Sequence, residues 1–408
     1  MAPAGPSPAA STTVLRRMNQ RLALDALIKA HTLTASELME HTGLSRVTAH
    51  AVCDDLKDMG WVRELPPSLP ASSAGIGRPA RTYAFDALAG LVVGIDLGVS
   101  TITGQLCDLR GQLLAEAVST TSRHDRPGAE LALDAMTLLN DLLSRRPPES
   151  GRILAIALGV PAPVNREGRI TQPNIVVPGL QDLDLPTIFR RDDCQVIVEN
   201  DANLAVLAER WRGAAQGADN VVTILSGERL GSGIIAGGHL LHGHDGEAGE
   251  LDFLGLVQDV GDTRGAARVA RELGQQAVAE YLGSDTWNTD APGALIARYA
   301  GTPADVEARH VMDAARDGDL TGQTIVRAVA QRMARTVAVI STLLNPDIVI
   351  IGGAIATAGD TLLDPLKEAI VPLTKRTPTL AASTLGDHAV SLGAIRHALN
   401  LTLPTLVT

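Results

Sequence analysis

Val196-Ile197-Val198-Glu199-Asn200-Asp201-Ala202-Asn203 decides how this chain is read. Four positions of mainly β-favouring character run into short polar side chains, and Leu204 to Trp211 then continues with helical spacing. A strand that ends in polar residues just before a helix sets those residues at the carboxyl edge of a parallel sheet, where open α/β folds bind ligands. Asn200 and Asp201 are therefore candidate cleft residues. The plainer alternative is that one of them only caps the helix, because Asn and Asp are both good N-caps.

Glycine-rich turns flank this stretch. Leu91-Val92-Val93-Gly94-Ile95-Asp96-Leu97-Gly98 reads as a buried strand entering a tight turn, with hairpin strands following over Thr101 to Leu109 and Gln112 to Ser119. Asn220 to Leu225 is another apolar strand, followed by the turn Ser226-Gly227-Glu228-Arg229-Leu230-Gly231-Ser232-Gly233. Ile350-Ile351-Gly352-Gly353-Ala354 ends a third strand, which begins at Asp347. A carboxylate and glycines at strand-to-turn junctions can hold a metal-bound phosphate, so Asp96, Gly98, Gly227, Gly231, Gly233, Gly352 and Gly353 are candidate nucleotide-loop residues.

The N-terminal part has a different pattern. Leu22, Leu24, Leu27 and Ile28 make one helical face, and Thr34 opens a second helix over Ala35 to His41. Gly43 supplies a sharp turn and Ser45 the cap of a third helix, Arg46 to Met59, whose Ala49, Val52, Leu56 and Met59 are expected to face the core. This spacing predicts a helix-turn-helix with Ser45, Arg46, Thr48 and His50 as candidate DNA contacts. Two strand-like runs, Trp61 to Leu65 and Arg81 to Phe85, predict a wing. Arg78 and Arg81 are candidate minor-groove contacts, the alternative being that their segment is a solvated linker.

Charge supports that division. Up to Phe85 nine basic side chains face seven acidic ones, whereas the remainder carries 26 basic against 39 acidic within a chain of net charge −11. The acidic bulk repels DNA, so the N-terminal region has to make any nucleic-acid contact. The three cysteines, Cys53, Cys107 and Cys194, are too far apart and odd in number for a disulfide framework or zinc cluster, which fits a reducing cytoplasm. No run is long and apolar enough to span a bilayer. Residues 1–13, rich in Pro, Ala and Ser, read as a disordered tail without the features of a signal peptide.

Taken together, these motifs resemble the transcription regulators of the ROK family (repressor, ORF, kinase), of the xylose- and N-acetylglucosamine-repressor type. They are Thr42-Gly43-Leu44-Ser45-Arg46, Gly94-Ile95-Asp96-Leu97-Gly98, Glu199-Asn200-Asp201-Ala202-Asn203, Gly243-His244-Asp245-Gly246-Glu247-Ala248-Gly249-Glu250, Asn345-Pro346-Asp347 and Gly352-Gly353. The resemblance implies an N-terminal winged helix-turn-helix, mainly α, over residues 14–86. It also implies an α/β actin- and hexokinase-like domain over 87–408, with one lobe at about 87–213, another at about 214–390, and a C-terminal helix returning to the first. Asp201 matches the base that takes the sugar hydroxyl proton in the kinases. Asn174, Asn200 and Glu250 match sugar ligands, and Phe253 stands where the kinases have a sugar-contacting His.

Departures from the kinase pattern set the functional expectation. Gly98-Val99-Ser100-Thr101 lacks a glycine and the Lys of the kinases, and Val99 puts a branched side chain where backbone has to approach phosphate. Glu228 places a negative charge in the second phosphate turn, which Arg229 could partly offset. Gly249-Glu250 leads into Leu251-Asp252-Phe253, and no Cys follows Cys194, so the family's zinc is not expected. The sequence thus predicts a cytoplasmic, homodimeric or larger DNA-binding repressor whose degenerate kinase domain senses a sugar, with no cofactor, no metal and no turnover. Two alternatives stay open: an ATP-dependent sugar kinase with a DNA-binding appendage, and a regulator that uses the domain only to dimerise.

Overall fold

Thr34 and Glu37 open the second helix of the N-terminal unit with a reciprocal cap. The Thr34 hydroxyl accepts from the Glu37 amide, and the Glu37 carboxylate accepts from the Thr34 amide at 2.7 Å. The computed structural model describes residues 8–66, 81–121, 126–173, 177–191, 193–282 and 293–407. Helix α1 (Pro8–Ala30) begins inside the stretch expected as a tail. Strand β1 (Thr32–Thr34), helices α2 (Ala35–Thr42) and α3 (Arg46–Asp58), and strands β2 (Val62–Leu65) and β3 (Thr82–Phe85) complete the unit. Gly43 separates α2 from α3 at φ 70°, a left-handed geometry in which a side chain would be strained. The strands form an antiparallel sheet in the order β1-β3-β2. Strand β1 is too short to leave a periodic signal in the sequence.

Two expected core positions differ. Leu22 and Met59 are 48% and 47% exposed, and the buried face of α1 is Ala23, Leu24 and Leu27. Helix α1 turns that face toward the rest of the winged helix and the first lobe of the large domain, and Met59 is the C-cap beyond the last helical residue of α3.

That lobe is a five-stranded sheet of β4 (Gly90–Leu97), β5 (Thr101–Asp108), β6 (Leu113–Thr120), β7 (Arg152–Val160) and β8 (Gln195–Asn200), in the order β6-β5-β4-β7-β8. β4, β7 and β8 run parallel. Alternate residues of β4 serve opposite faces: Leu91, Val93, Ile95 and Leu97 pack with α4 (Gly128–Ser144), while Val92 joins the cluster on the other side. Covering both faces explains why this strand is apolar throughout instead of alternating. The short helix α5 (Leu185–Ile188) precedes β8, and α6 (Asp201–Arg212) follows it directly.

The second lobe has β9 (Val221–Ser226), β10 (Leu230–Ala236), β11 (His239–Leu240), β12 (Ile348–Gly352) and β13 (Thr379–Ala382), ordered β11-β10-β9-β12-β13. Its helices are α7 (Ala266–Leu282), α8 (Ala294–Tyr299), α9 (Ala308–Arg316), α10 (Leu320–Leu344) and α11 (Asp360–Ile370). Helix α12 (Ala389–Thr402) returns to the first lobe, against α6, β4 and β7. A winged helix plus a two-lobed α/β domain of the actin and hexokinase type, the fold class the sequence predicts, is what the chain adopts. Among the described residues no helix is long and apolar enough to cross a membrane.

The winged helix is not a bead on a linker. One apolar cluster contains Leu24, Leu27, Leu56 and Phe85 together with Val92, Leu109, Leu154 and Leu399 of the large domain. Arg110, in the β5–β6 turn, donates to the carbonyls of Leu27 (3.1 Å), His31 (3.4 Å) and Ile28, and its guanidinium lies 5.4 Å from the centre of the Phe85 ring. A cation at a helix C-terminus contributes about 0.3–1 kcal/mol, and each large buried side chain about 1.5–3 kcal/mol, so apolar contact dominates the joint. Deleting residues 1–85 is therefore expected to lower the melting temperature of the large domain and to cause aggregation. A truncated chain that melts with the parent and elutes as one sharp species would contradict the shared core.

Candidate ligand cleft and nucleic-acid interface

At the end of β8, both readings of Asn200 meet. Its side-chain oxygen accepts from the Asn203 amide at 3.1 Å, which is the helix cap, while its side-chain amide donates to the Ala162 carbonyl at 3.1 Å. Asp201 is the first residue of α6, and its carboxylate accepts from the Ala202 amide at 2.7 Å. Burial above all, helped by the charge of Glu250, lifts the Asp201 carboxyl to about 7 against that hydrogen bond. Glu250 is itself raised, by burial and then by Asp252, with Arg229 opposing. Asp96 is raised well above the usual carboxylate range by burial, then by Asp201 and by Asp387, just before α12. Carboxyls from four parts of the chain thus act on one another around the end of β8, an arrangement relieved by ligand hydroxyls that donate to them.

Two other sugar candidates fare differently. Asn174 lies outside the described residues. Phe253 sits, half-buried, in a 3-10 turn, Asp252–Leu256, and packs against the core of the second lobe.

A network next to the cleft was not anticipated from the sequence. Glu199, 4% exposed, accepts from the Asn200 amide (2.8 Å) and the Asn203 side chain (3.0 Å), and its other oxygen lies 2.7 Å from Nε2 of His242. His242 follows β11, so this contact ties the second lobe to the first. The available signal was a charged residue in an otherwise apolar buried strand, which is rare unless the charge is paired. Burial pushes the Glu199 carboxyl up, but hydrogen bonds from His242 and Asn203 and the charges of His242 and His397 leave it below its ordinary range. The Glu199 hydrogen bond raises His242 against burial and Arg166.

The signs fix a pH window. His242 contributes fully below about pH 6.5 and loses its contribution as pH rises through its raised folded value. Glu199 contributes fully above about pH 4.3 and loses its contribution as pH falls through its depressed folded value. The urea midpoint difference between wild type and His242→Gln is accordingly expected to peak in mildly acidic solution and shrink at both extremes. A difference independent of pH would show that the pair is not ionised.

The glycine turns are largely filled by the chain itself. The Gly227 amide donates to Arg229 O (3.2 Å), the Gly265 amide to Glu228 O (3.1 Å), the Arg268 amide to Gly227 O (3.3 Å) and the Ala266 amide to the Ser226 hydroxyl (2.7 Å). Those are the donors a phosphate would need at this turn and at the start of α7. Gly352 and Gly353 abut the same turn: a Cβ on Gly353 would stand 3.0 Å from the Ser226 amide nitrogen. Gly233 answers a different need, because a Cβ there would stand 2.0 Å from the Ala202 carbonyl oxygen, and Gly231 likewise faces Ala202. These two glycines let β10 close onto the start of α6 across the lobes.

Two expectations about charge and bulk are corrected. Arg271 of α7, rather than Arg229, pairs with Glu228 through both guanidinium nitrogens, one at 2.8 Å. The Val99 side chain turns against the first-lobe core, while its carbonyl accepts from buried Arg126 at 3.2 Å. Gly98 is held in a tight turn, where a Cβ would stand 2.3 Å from Thr101 O. Around the second turn the amides of Gly227, Gly265, Ala266 and Arg268 are already bonded within the chain, which takes those four donors from a nucleoside triphosphate.

On the winged helix, Ser45 and Arg46 are exposed at the start of α3, and the Ser45 and Thr48 hydroxyls are 2.9 Å apart. Val47, not singled out from the sequence, is 81% exposed beside them and suits a thymine methyl group. His50 turns inward, with Nδ1 3.2 Å from the Tyr83 hydroxyl, and Arg81 is paired with Glu64 (3.4 Å) and Asp54 (3.7 Å). Both thus have partners within the protein. Arg78 lies outside the described residues. The later turns of α3 expose Asp54 and Asp58, which confines the anion-compatible surface to its first turn.

Comparison with known proteins follows the same division. Residues 92–400 match the ROK family, and residues 15–68 match the MarR family. A glucokinase of Thermotoga maritima is 31% identical over 319 residues, covering 74% of this chain and 95% of its own length. A putative xylose repressor of Caldicellulosiruptor sp. is 23% identical over 405 residues, covering 94% of this chain and 95% of its own. Among solved structures, a ROK family transcriptional regulator, described as a homologue of the E. coli MLC protein, superposes with a TM-score of 0.70 at 20% identity, over 96% of this chain and 98% of that one.

Proposed function

Since the chain belongs to the ROK family, we propose that it is a DNA-binding transcription repressor that responds to a sugar. The observation that carries this reading is the extent of the match: the putative xylose repressor aligns with 94% of the chain, winged helix included, whereas the glucokinase aligns with 74%. The DNA contact is the first turn of α3 in a major groove, and the effector is a polyhydroxyl compound held between the lobes by Asp201, Asn200 and Glu250. The protein acts in the cytoplasm as a homodimer or larger assembly. Because the winged helix shares a core with the first lobe, closure of the second lobe over the effector changes DNA affinity by altering how two copies are spaced.

A second reading, an ATP-dependent sugar kinase, is favoured by the Asp201 carboxyl at about 7, near the optimum for a general base at neutral pH. The self-satisfied amides around Gly227 and Gly265 weigh against it. Genome-wide mapping of bound DNA, followed by operator titrations with and without D-xylose and D-glucose and a coupled ATP assay, separates the two. Sugar-dependent release from the operator without turnover supports the repressor; turnover at ordinary kinase rates would overturn its non-enzymatic part.

A further inference from the structure

Arg212, at the end of α6, and Arg396, in the middle of α12, stand against the same tryptophan. Their guanidinium carbons lie 3.9 Å and 5.4 Å from the centre of the Trp211 ring. Arg210 is nearby but fully engaged, donating to the carbonyls of Ala218 and Gly238 and to the Asp219 carboxylate. Arg212 and Arg396 have no carboxylate partner among the described residues; the charged groups that act on Arg396 are Arg210 and Arg212, both repulsive. Arg396 is half-buried and Arg212 exposed, and in a chain of net charge −11 neither meets an acid among the described residues. The C-terminus of α6 offers about half a negative charge, which is too little to balance two unpaired guanidiniums. Holding the partly desolvated Arg396 without a counterion is costly, and the exposed Arg212 against the same ring adds a second cation, so the arrangement suits an anion.

From this we infer that Arg212 and Arg396, set around Trp211, form a binding site for a phosphate-class oxyanion, either free phosphate or a small phosphomonoester. Paired guanidiniums present planar forks of donors that match phosphate oxygens. The site also lies at the joint between domains. Gly111, at φ 75° in the β5–β6 turn, comes so close to Trp211 that a Cβ would stand 2.3 Å from the ring. The preceding residue, Arg110, holds the carbonyl end of α1. An anion on Arg212 and Arg396 thus sits beside the contact that anchors the winged helix. The inference is independent of the identity of any sugar effector.

Trp211 supplies its own probe. The chain has three tryptophans, so a Trp61→Phe, Trp287→Phe double variant of the full-length protein leaves Trp211 as the sole indole emitter. Titration with sodium phosphate and with glycerol 3-phosphate, against sodium chloride at matched ionic strength, is expected to give a saturable change in emission with one or both phosphates and none with chloride. Adding Arg396→Gln or Arg212→Gln to that background is expected to weaken binding at least about tenfold, with circular dichroism unchanged. Stronger binding of glycerol 3-phosphate assigns the site to phosphomonoesters, and stronger binding of inorganic phosphate assigns it to the free ion. Three results would each overturn the inference: no saturation by either phosphate, equal affinity in folded Arg212→Gln, or a response to duplex DNA alone, which would make the patch part of the DNA interface.

Discussion

Asp201→Asn is expected to remove most of the effector response while leaving operator affinity without effector within about twofold of wild type. The carboxylate accepts hydrogen bonds from ligand hydroxyls, and charge-assisted hydrogen bonds contribute roughly 1.5–3 kcal/mol, so sugar affinity should fall by about ten- to a hundredfold. The pH dependence gives an independent check. Burial holds the Asp201 carboxyl at about 7, so a ligand that requires the charged form meets only a fraction of competent molecules in acid. Below pH 7 each unit should weaken binding by close to tenfold, and the asparagine variant should lack this slope. Calorimetric titrations of wild type and Asp201→Asn with D-xylose and D-glucose at pH 6 and 8 measure both effects. A kinase would behave differently: the same substitution would eliminate ATP-dependent turnover with little change in sugar affinity. Equal effector affinity and equal pH slopes in the two proteins would remove Asp201 from the binding site.

Arg46→Ala is expected to weaken specific operator binding by about 1–3 kcal/mol if the guanidinium reads a base edge. Folding should survive, because Arg46 lies exposed outside the winged-helix core. Loss of a phosphate contact would instead weaken specific and non-specific DNA alike and reduce the salt slope by about one. Anisotropy titrations against operator and scrambled duplex at several salt concentrations distinguish these outcomes, and unchanged affinity for both duplexes would exclude Arg46 from the interface. Arg81→Ala is expected to have a small effect by comparison, since Glu64 and Asp54 already neutralise that side chain.

Much of the architecture was legible in local sequence. Thr34, Gly43 and Ser45 punctuate the helix-turn-helix through cap and turn chemistry that depends only on neighbouring backbone. The glycine-ended strands and the polar exit of β8 likewise identify two lobes around a cleft, because strand periodicity and turn chemistry are properties of short windows. What local sequence could not supply was the partner of each side chain. Arg81 and His50 have the composition of DNA contacts, yet one meets Glu64 and Asp54 and the other Tyr83. Glu228 had only the neighbouring Arg229 to offset it in the sequence, until α7 brought Arg271 to it across 43 residues of chain. Gly231 and Gly233 resembled phosphate ligands, but their place against Ala202 is set by how closely the lobes approach.

The sequence by itself determined the family and the order of winged helix and ROK domain, since these follow from motifs whose residues lie within a few positions of one another. Only the tertiary structure decided which charges are free, which amides remain available to a phosphate, and that the winged helix and first lobe share one apolar core. Those properties depend on distances between residues remote in the chain, and an electrostatic or packing interaction has its effect only once folding has brought its partners within a few ångströms.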